Sequence, residues 1–137
     1  MAAGPWTIFA ANKPKILNGT FDFDSHTLRI IFLDSSVTPN YAANTTLAEV
    51  SAGEVGERAT LTNVALNTEA VPGSVRLTAD AAVLNSSEPV NVKWAVLYDD
   101  DAAGDALIAG FDTNVGVAEG VNVTQLTINF PSGIFTL

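Results

Sequence analysis

From Ser74 to Val83 the chain alternates: Val75, Leu77, Ala79, Ala81 and Val83 take one set of positions, and Ser74, Arg76, Thr78 and Asp80 the other. A period of two predicts a strand with one buried face. His26–Leu33 is apolar at both parities, as expected of a central strand covered on both sides. Two further apolar runs, Val92–Tyr98 and Ala106–Phe111, flank the polar turn Asp99–Asp105. Val121 and Val123 share one parity, and Leu126, Ile128 and Phe130 share the other. That switch at Thr124-Gln125 predicts a β-bulge. Leu61–Leu66 reads as a weaker strand and Gly133–Leu137 as a terminal one. Leu17–Phe21 reads as a turn into a strand, Ser35–Asn44, Gly53–Arg58 and Asn85–Pro89 as loops, and Pro72-Gly73 as a turn.

Helical spacing occurs twice. Pro5, Trp6, Phe9, Ala10 and Lys13 predict a short helix with Pro5 at its first position. Pro14 would remove an interior hydrogen bond, so that helix ends near Lys13. Its Trp6/Phe9 face packs on the body or on a partner. Thr46–Ser51 predicts a second short helix, with Thr46 and Glu49 as a capping box. The sum is about eight strands with turns every ~10 residues, an antiparallel β-sandwich or barrel with a short N-terminal helix.

Composition narrows the chemistry. A length of 137 residues predicts one domain over 1–137, with 1–13 as an N-terminal arm and 133–137 as a terminal strand. No cysteine is present, which removes disulfides, thiolate catalysis and cysteine-ligated zinc. The formal charge is -9, and the six basic residues, Lys13, Lys15, Arg29, Arg58, Arg76 and Lys93, are scattered. With no basic stripe, neither nucleic acid nor an anionic membrane is an expected partner. No apolar run reaches the ~20 residues of a membrane-spanning helix. Trp6–Ala11 is too short for a signal-peptide core and no Lys or Arg precedes it, so synthesis and use without export are expected.

Few residues could run a reaction. Asp99, Asp101 and Asp105 form the one dense acidic loop and are a calcium candidate. The EF-hand template fails there, because Ala103 stands at a ligand position and Gly110 at the twelfth. Asp22 and Asp24 are a carboxylate pair without a partner group, better read as capping the turn at Ser25-His26. His26 is the sole histidine, so the sequence specifies no His/Asp dyad. Ser35-Ser36 and Ser86-Ser87 lack a nucleophile-elbow context. Asn18, Asn44, Asn85 and Asn122 fit the glycosylation sequon by composition alone. No cofactor motif is present, and the chain reads as a non-enzyme that works by shape and contact.

Three stretches taken in order carry a resemblance. They are Trp6-Thr-Ile-Phe9 with Asn18-Gly-Thr20, then Phe21-Asp-Phe-Asp24 with Thr27–Leu33, then Trp94–Asp99 with Leu107–Asp112 and Gly133–Leu137. Together the chain resembles a family of small tailed-bacteriophage virion proteins. Pro14 departs from the family's uninterrupted N-terminal helix. The resemblance implies a structural role and no catalytic residues. The leading expectation is a capsid decoration (cement) protein. It would be made in the host cytoplasm, located in the virion, in contact with the major capsid protein or other virion subunits, and self-associating. A tail, baseplate or fibre-associated protein of the virion is the alternative. A receptor- or carbohydrate-binding β module, using Trp94 or Tyr41, is a third class. Interface candidates are Trp6, Phe9, Ile134, Phe135 and Leu137.

Overall fold

A computed structural model describes residues 1–69 and 72–137. Among these residues there are ten strands: β1 (Thr7–Ile8), β2 (Leu28–Leu33), β3 (Ala59–Thr60), β4 (Ala65–Asn67), β5 (Arg76–Thr78), β6 (Ala82–Val92), β7 (Trp94–Asp99), β8 (Leu107–Asp112), β9 (Val121–Ile128) and β10 (Phe135–Thr136). One short α-helix, α1 (Lys13–Leu17), joins 3-10 turns at Ala10–Asn12, Leu47–Glu49 and Ser51–Gly53. The fold is mainly β, as the strand periodicity predicts.

All strand pairs are antiparallel and form three sheets, ordered β1-β8-β7-β2-β3, β10-β5-β4 and β6-β9. β2 shows why the large sheet is apolar at both parities. Leu28, Ile30 and Phe32 enter one core cluster, while Ile31 and Leu33 enter another. The first cluster also takes Leu77, Leu84, Val92 and Ile128 from the smaller sheets, which gives a sandwich-like layering. The second is closed by Phe9, Leu47 and Val50 from the connecting segments. Side chains alternate across a strand, so a sheet covered on both faces needs apolar residues at every position. β8 adds one irregularity. Leu97 faces Ala109 but Tyr98 faces Leu107, so Ile108 is an extra residue. This bulge puts Ile108 and Ala109 in the first cluster and Leu107 in the second.

Several local expectations are corrected. The 5–13 helix is absent: Thr7 and Ile8 pair with Gly110 and Ala109 as β1. Helical structure starts at Ala10, and Pro14 lies in the first turn of α1, where its missing N–H costs no bond. Trp6 and Phe9, three apart along extended chain, therefore diverge into different clusters. Phe21 is buried but outside any strand. Of the expected Leu61–Leu66 strand only Ala65 and Leu66 are extended, as part of β4; β3 ends before it at Thr60, and Asn63, at φ 52, lies between the two strands. The Ser74–Val83 strand also breaks. Asp80 leaves the β5 ladder to donate its amide to the Thr62 carbonyl (2.9 Å), and the parity resets, so that Ala82 and Leu84 face the core and Val83 does not. Asn85–Pro89 is not a loop but the middle of β6. Asn85 pairs with Gln125 and Val90 with Val123, so the extra residues bulge from β6 opposite Thr124. The bulge thus lies where the β9 parity switch placed it, on the partner strand, and it houses Pro89, which cannot donate to a ladder. Thr46–Ser51 forms two 3-10 turns rather than one helix. Glu49 holds the first, accepting the amides of Thr45 (2.9 Å) and Thr46 (3.0 Å).

Candidate interaction surfaces

The segment from β1 to α1 builds an open apolar groove. α1 has five residues, closed by the Asn18 amide on the Pro14 carbonyl (3.0 Å). So short a helix cannot bury both sides, and Leu17 is left 84% exposed. Ile8, Lys13, Ile16, Leu17 and Leu137 line a groove of about 220 Å³. Leu137 is 51% exposed while its backbone exchanges bonds with Val75 at 2.8 and 2.9 Å. The other interface candidates lie deeper. Trp6 is half-buried, edge-on to Phe111 with centroids 4.7 Å apart. Phe9 is buried against Tyr41 (4.8 Å), and Ile134 is buried in the first cluster. Phe135 is half-buried beside Phe23 (5.9 Å). The 1–13 arm lies along its own chain: Asn129 donates its amide to Met1 (2.8 Å), and Ala3 donates to Asn129 (2.8 Å).

The acidic loop is occupied by internal bonds. His26 Nδ1 lies 2.6 Å from Oδ2 of the buried Asp99. Asp99 Oδ1 accepts the amides of Asp101 (2.9 Å) and Ala102 (3.1 Å), and Asp101 Oδ2 accepts the Thr27 amide (2.7 Å). The geometry assigns the proton to Nδ1, since the Asp22 amide, 3.5 Å from the same nitrogen, is too distant to compete. The bond to Asp99 raises the His26 pKa above its ordinary value, more than burial lowers it. Asp99, Asp101 and Asp105 do not converge as ligands, and among the described residues no three His, Cys, Asp or Glu groups could hold a metal. Asp22 caps its turn, accepting from the Asp24 amide (3.1 Å), the Ser25 amide (3.2 Å) and Ser25 Oγ (2.6 Å), which lowers its pKa. Asp24 is exposed. Ser25 Oγ is thus committed to Asp22, so the His26–Asp99 pair has an orienting acid but no nucleophile from that turn.

A second cleft, of about 200 Å³, lies on the other side of β1. Pro5, Thr7, Tyr41, Trp94 and Val115 line it, with Asp112 among them. Gly110 in β8 makes room for Tyr41, since a Cβ there would stand 2.9 Å from Tyr41 Oη. The Ala10 amide donates to the Tyr41 carbonyl (2.8 Å) and fixes that wall. Burial, with a smaller contribution from the Asp112 charge, pushes the Tyr41 phenol up to about 12. Lys93 Nζ donates to both Asp112 oxygens (2.8 Å each) and to the carbonyls of Val117 (2.8 Å) and Asn114 (3.2 Å). Those bonds hold the 113–120 loop, which presents Val115 78% exposed at the rim.

No family model, no curated protein and no solved structure matches the chain. Among the described residues no helix is long and apolar enough to cross a membrane. Sequence reasoning missed three juxtapositions: Leu17 with Leu137, His26 with Asp99, and Tyr41 with Trp94. His26 and Asp99 lie 73 positions apart, and neither carries a local sign of the other. Trp94 and Tyr41 were visible as aromatics suited to a binding face, though not as neighbours.

Proposed function

We propose that this chain is a structural protein of a bacteriophage virion, a capsid decoration (cement) protein that binds between major capsid subunits. The observation that carries the reading is the open groove in which Leu17 and Leu137 stand exposed beside Ile8 and Ile16. Burying an exposed leucine gains about 1.5–3 kcal/mol, so two per copy favour docking by several kcal/mol before ordering costs. A specific interface needs more than ~1,000 Å², beyond what the groove alone offers. Further contact is available at β4, the outer strand of its sheet. Its three residues are all exposed, Leu66 among them. A neighbouring chain can add a strand at such an edge. The resemblance of the Trp6–Phe9, Phe21–Asp24 and Trp94–Asp99 stretches to small virion proteins supports the same reading. With the charge of -9, contact with acidic neighbours is repulsive until apolar packing forms.

Leu17→Asp and Leu137→Asp test this by co-sedimentation with heads that lack the chain. The native chain is expected to pellet with the heads and the double variant to remain in the supernatant, with unchanged circular dichroism. Equal pelleting of the two would remove the groove from the interface.

A further inference from the structure

We propose that the Tyr41–Trp94 cleft binds a single neutral saccharide ring. Two half-buried aromatic side chains line the cleft, which matches the apolar C–H face of a pyranose. Its volume, about 200 Å³, lies below that of pockets for drug-sized ligands and suits one ring. Hydrogen-bonding capacity stands in the same wall. Asp112 Oδ1 already accepts from Lys93 Nζ (2.8 Å) and from the Asn114 amide (3.0 Å), whereas Oδ2 accepts from Lys93 alone. A carboxylate oxygen has two acceptor positions, so Oδ2 retains one for a hydroxyl. The Tyr41 hydroxyl and the Trp94 indole N–H are buried without a hydrogen-bond partner. Both atoms are closed to solvent, so the cleft offers a ligand the aromatic faces and the free acceptor position of Asp112 rather than these two donors.

Charge and topology narrow the ligand class. Lys93 neutralises Asp112 and lies 5.3 Å from the Trp94 ring centroid, which disfavours an ammonium ligand. The charge of -9 disfavours an anionic one. β8 is flanked by β1 and β7, and β1, the outer strand beside the cleft, is only two residues long and offers a peptide little edge to pair with. A neutral polyhydroxylated ring remains. This site is separate from the Leu17–Leu137 groove, and its test uses the isolated chain, so either reading can fail without the other.

The probes are the methyl glycosides of glucose, galactose, mannose, rhamnose and N-acetylglucosamine, followed by saturation-transfer NMR. At least one glycoside is expected to show saturable transfer, lost in Trp94→Ala. Val115→Arg changes an exposed rim residue and leaves the core untouched. It is expected to weaken binding by about tenfold or more. The proposal is overturned if no glycoside shows transfer, or if transfer persists unchanged in Val115→Arg and in folded Trp94→Ala.

Discussion

Replacing Lys93 with Met keeps the aliphatic stem and removes only the ammonium. Lys93 is 8% exposed, and its Nζ meets four acceptors, both oxygens of Asp112 and the carbonyls of Asn114 and Val117. An ammonium has three protons, so one is shared. The substitution strands a carboxylate and loosens two loop carbonyls. Breaking a buried ion pair costs about 3–5 kcal/mol, against ~0–1 for an exposed one. The side chains here are 10% and 22% exposed, and the carbonyls can reach water once the loop opens. The expected loss is therefore about 3 kcal/mol, at the low end of the buried range. Adding Asp112→Leu removes the stranded charge. The double variant is expected to be more stable than Lys93→Met alone, with a coupling of about 2 kcal/mol. Urea unfolding followed by circular dichroism measures all four corners of the cycle. A loss below about 1 kcal/mol for Lys93→Met, or additivity of the two substitutions, would refute this account of the 113–120 loop.

Two further outcomes follow from the geometry. Gly116 and Gly120 both have positive φ, +86 and +77, but a Cβ on Gly116 meets nothing within 4 Å, whereas one on Gly120 would lie 1.9 Å from the Val92 carbonyl oxygen. Gly116→Ala is expected to cost about 1–2 kcal/mol from the left-handed backbone alone, and Gly120→Ala clearly more; equal losses in unfolding experiments would contradict the contact. His26 has a raised native pKa, so its bond to Asp99 stabilises the fold fully below the ordinary imidazole value of 6.5, and that contribution fades as pH rises through the native value. The urea midpoint of the native chain should fall over that window and that of His26→Ala should not; the same slope in both would place the titration elsewhere.

How much was legible depended on whether the signal was local. β2, β7 and β8 were visible because a strand covered on both faces must be apolar at both parities. The Ser74–Val83 break was not, because what interrupts it is distant: Asp80 binds the Thr62 carbonyl and the Asn63 side chain. The Trp6/Phe9 spacing fits a helix, but pairing of Thr7 and Ile8 with β8 outweighs it, since a helix so short is marginal on its own. The β9 parity switch gave the bulge its position, yet only pairing shows which strand holds the extra residues. Among the candidate sites, Leu137 was flagged as an apolar end residue. Leu17 was not, because its exposure comes from where α1 stops. Asp99 looked like part of a solvated acidic loop, but it ends β7, paired with Leu28 of β2, and is buried there with His26 bonded to it.

The central claim is that this chain is a component of the viral shell, and quantitative mass spectrometry of purified virions that encode it tests that claim most directly. The account predicts a copy number near that of the major capsid subunit, or a simple fraction of it. A far smaller number, matched to tail components, would move the chain off the shell, and its absence from the particle would contradict a virion role altogether.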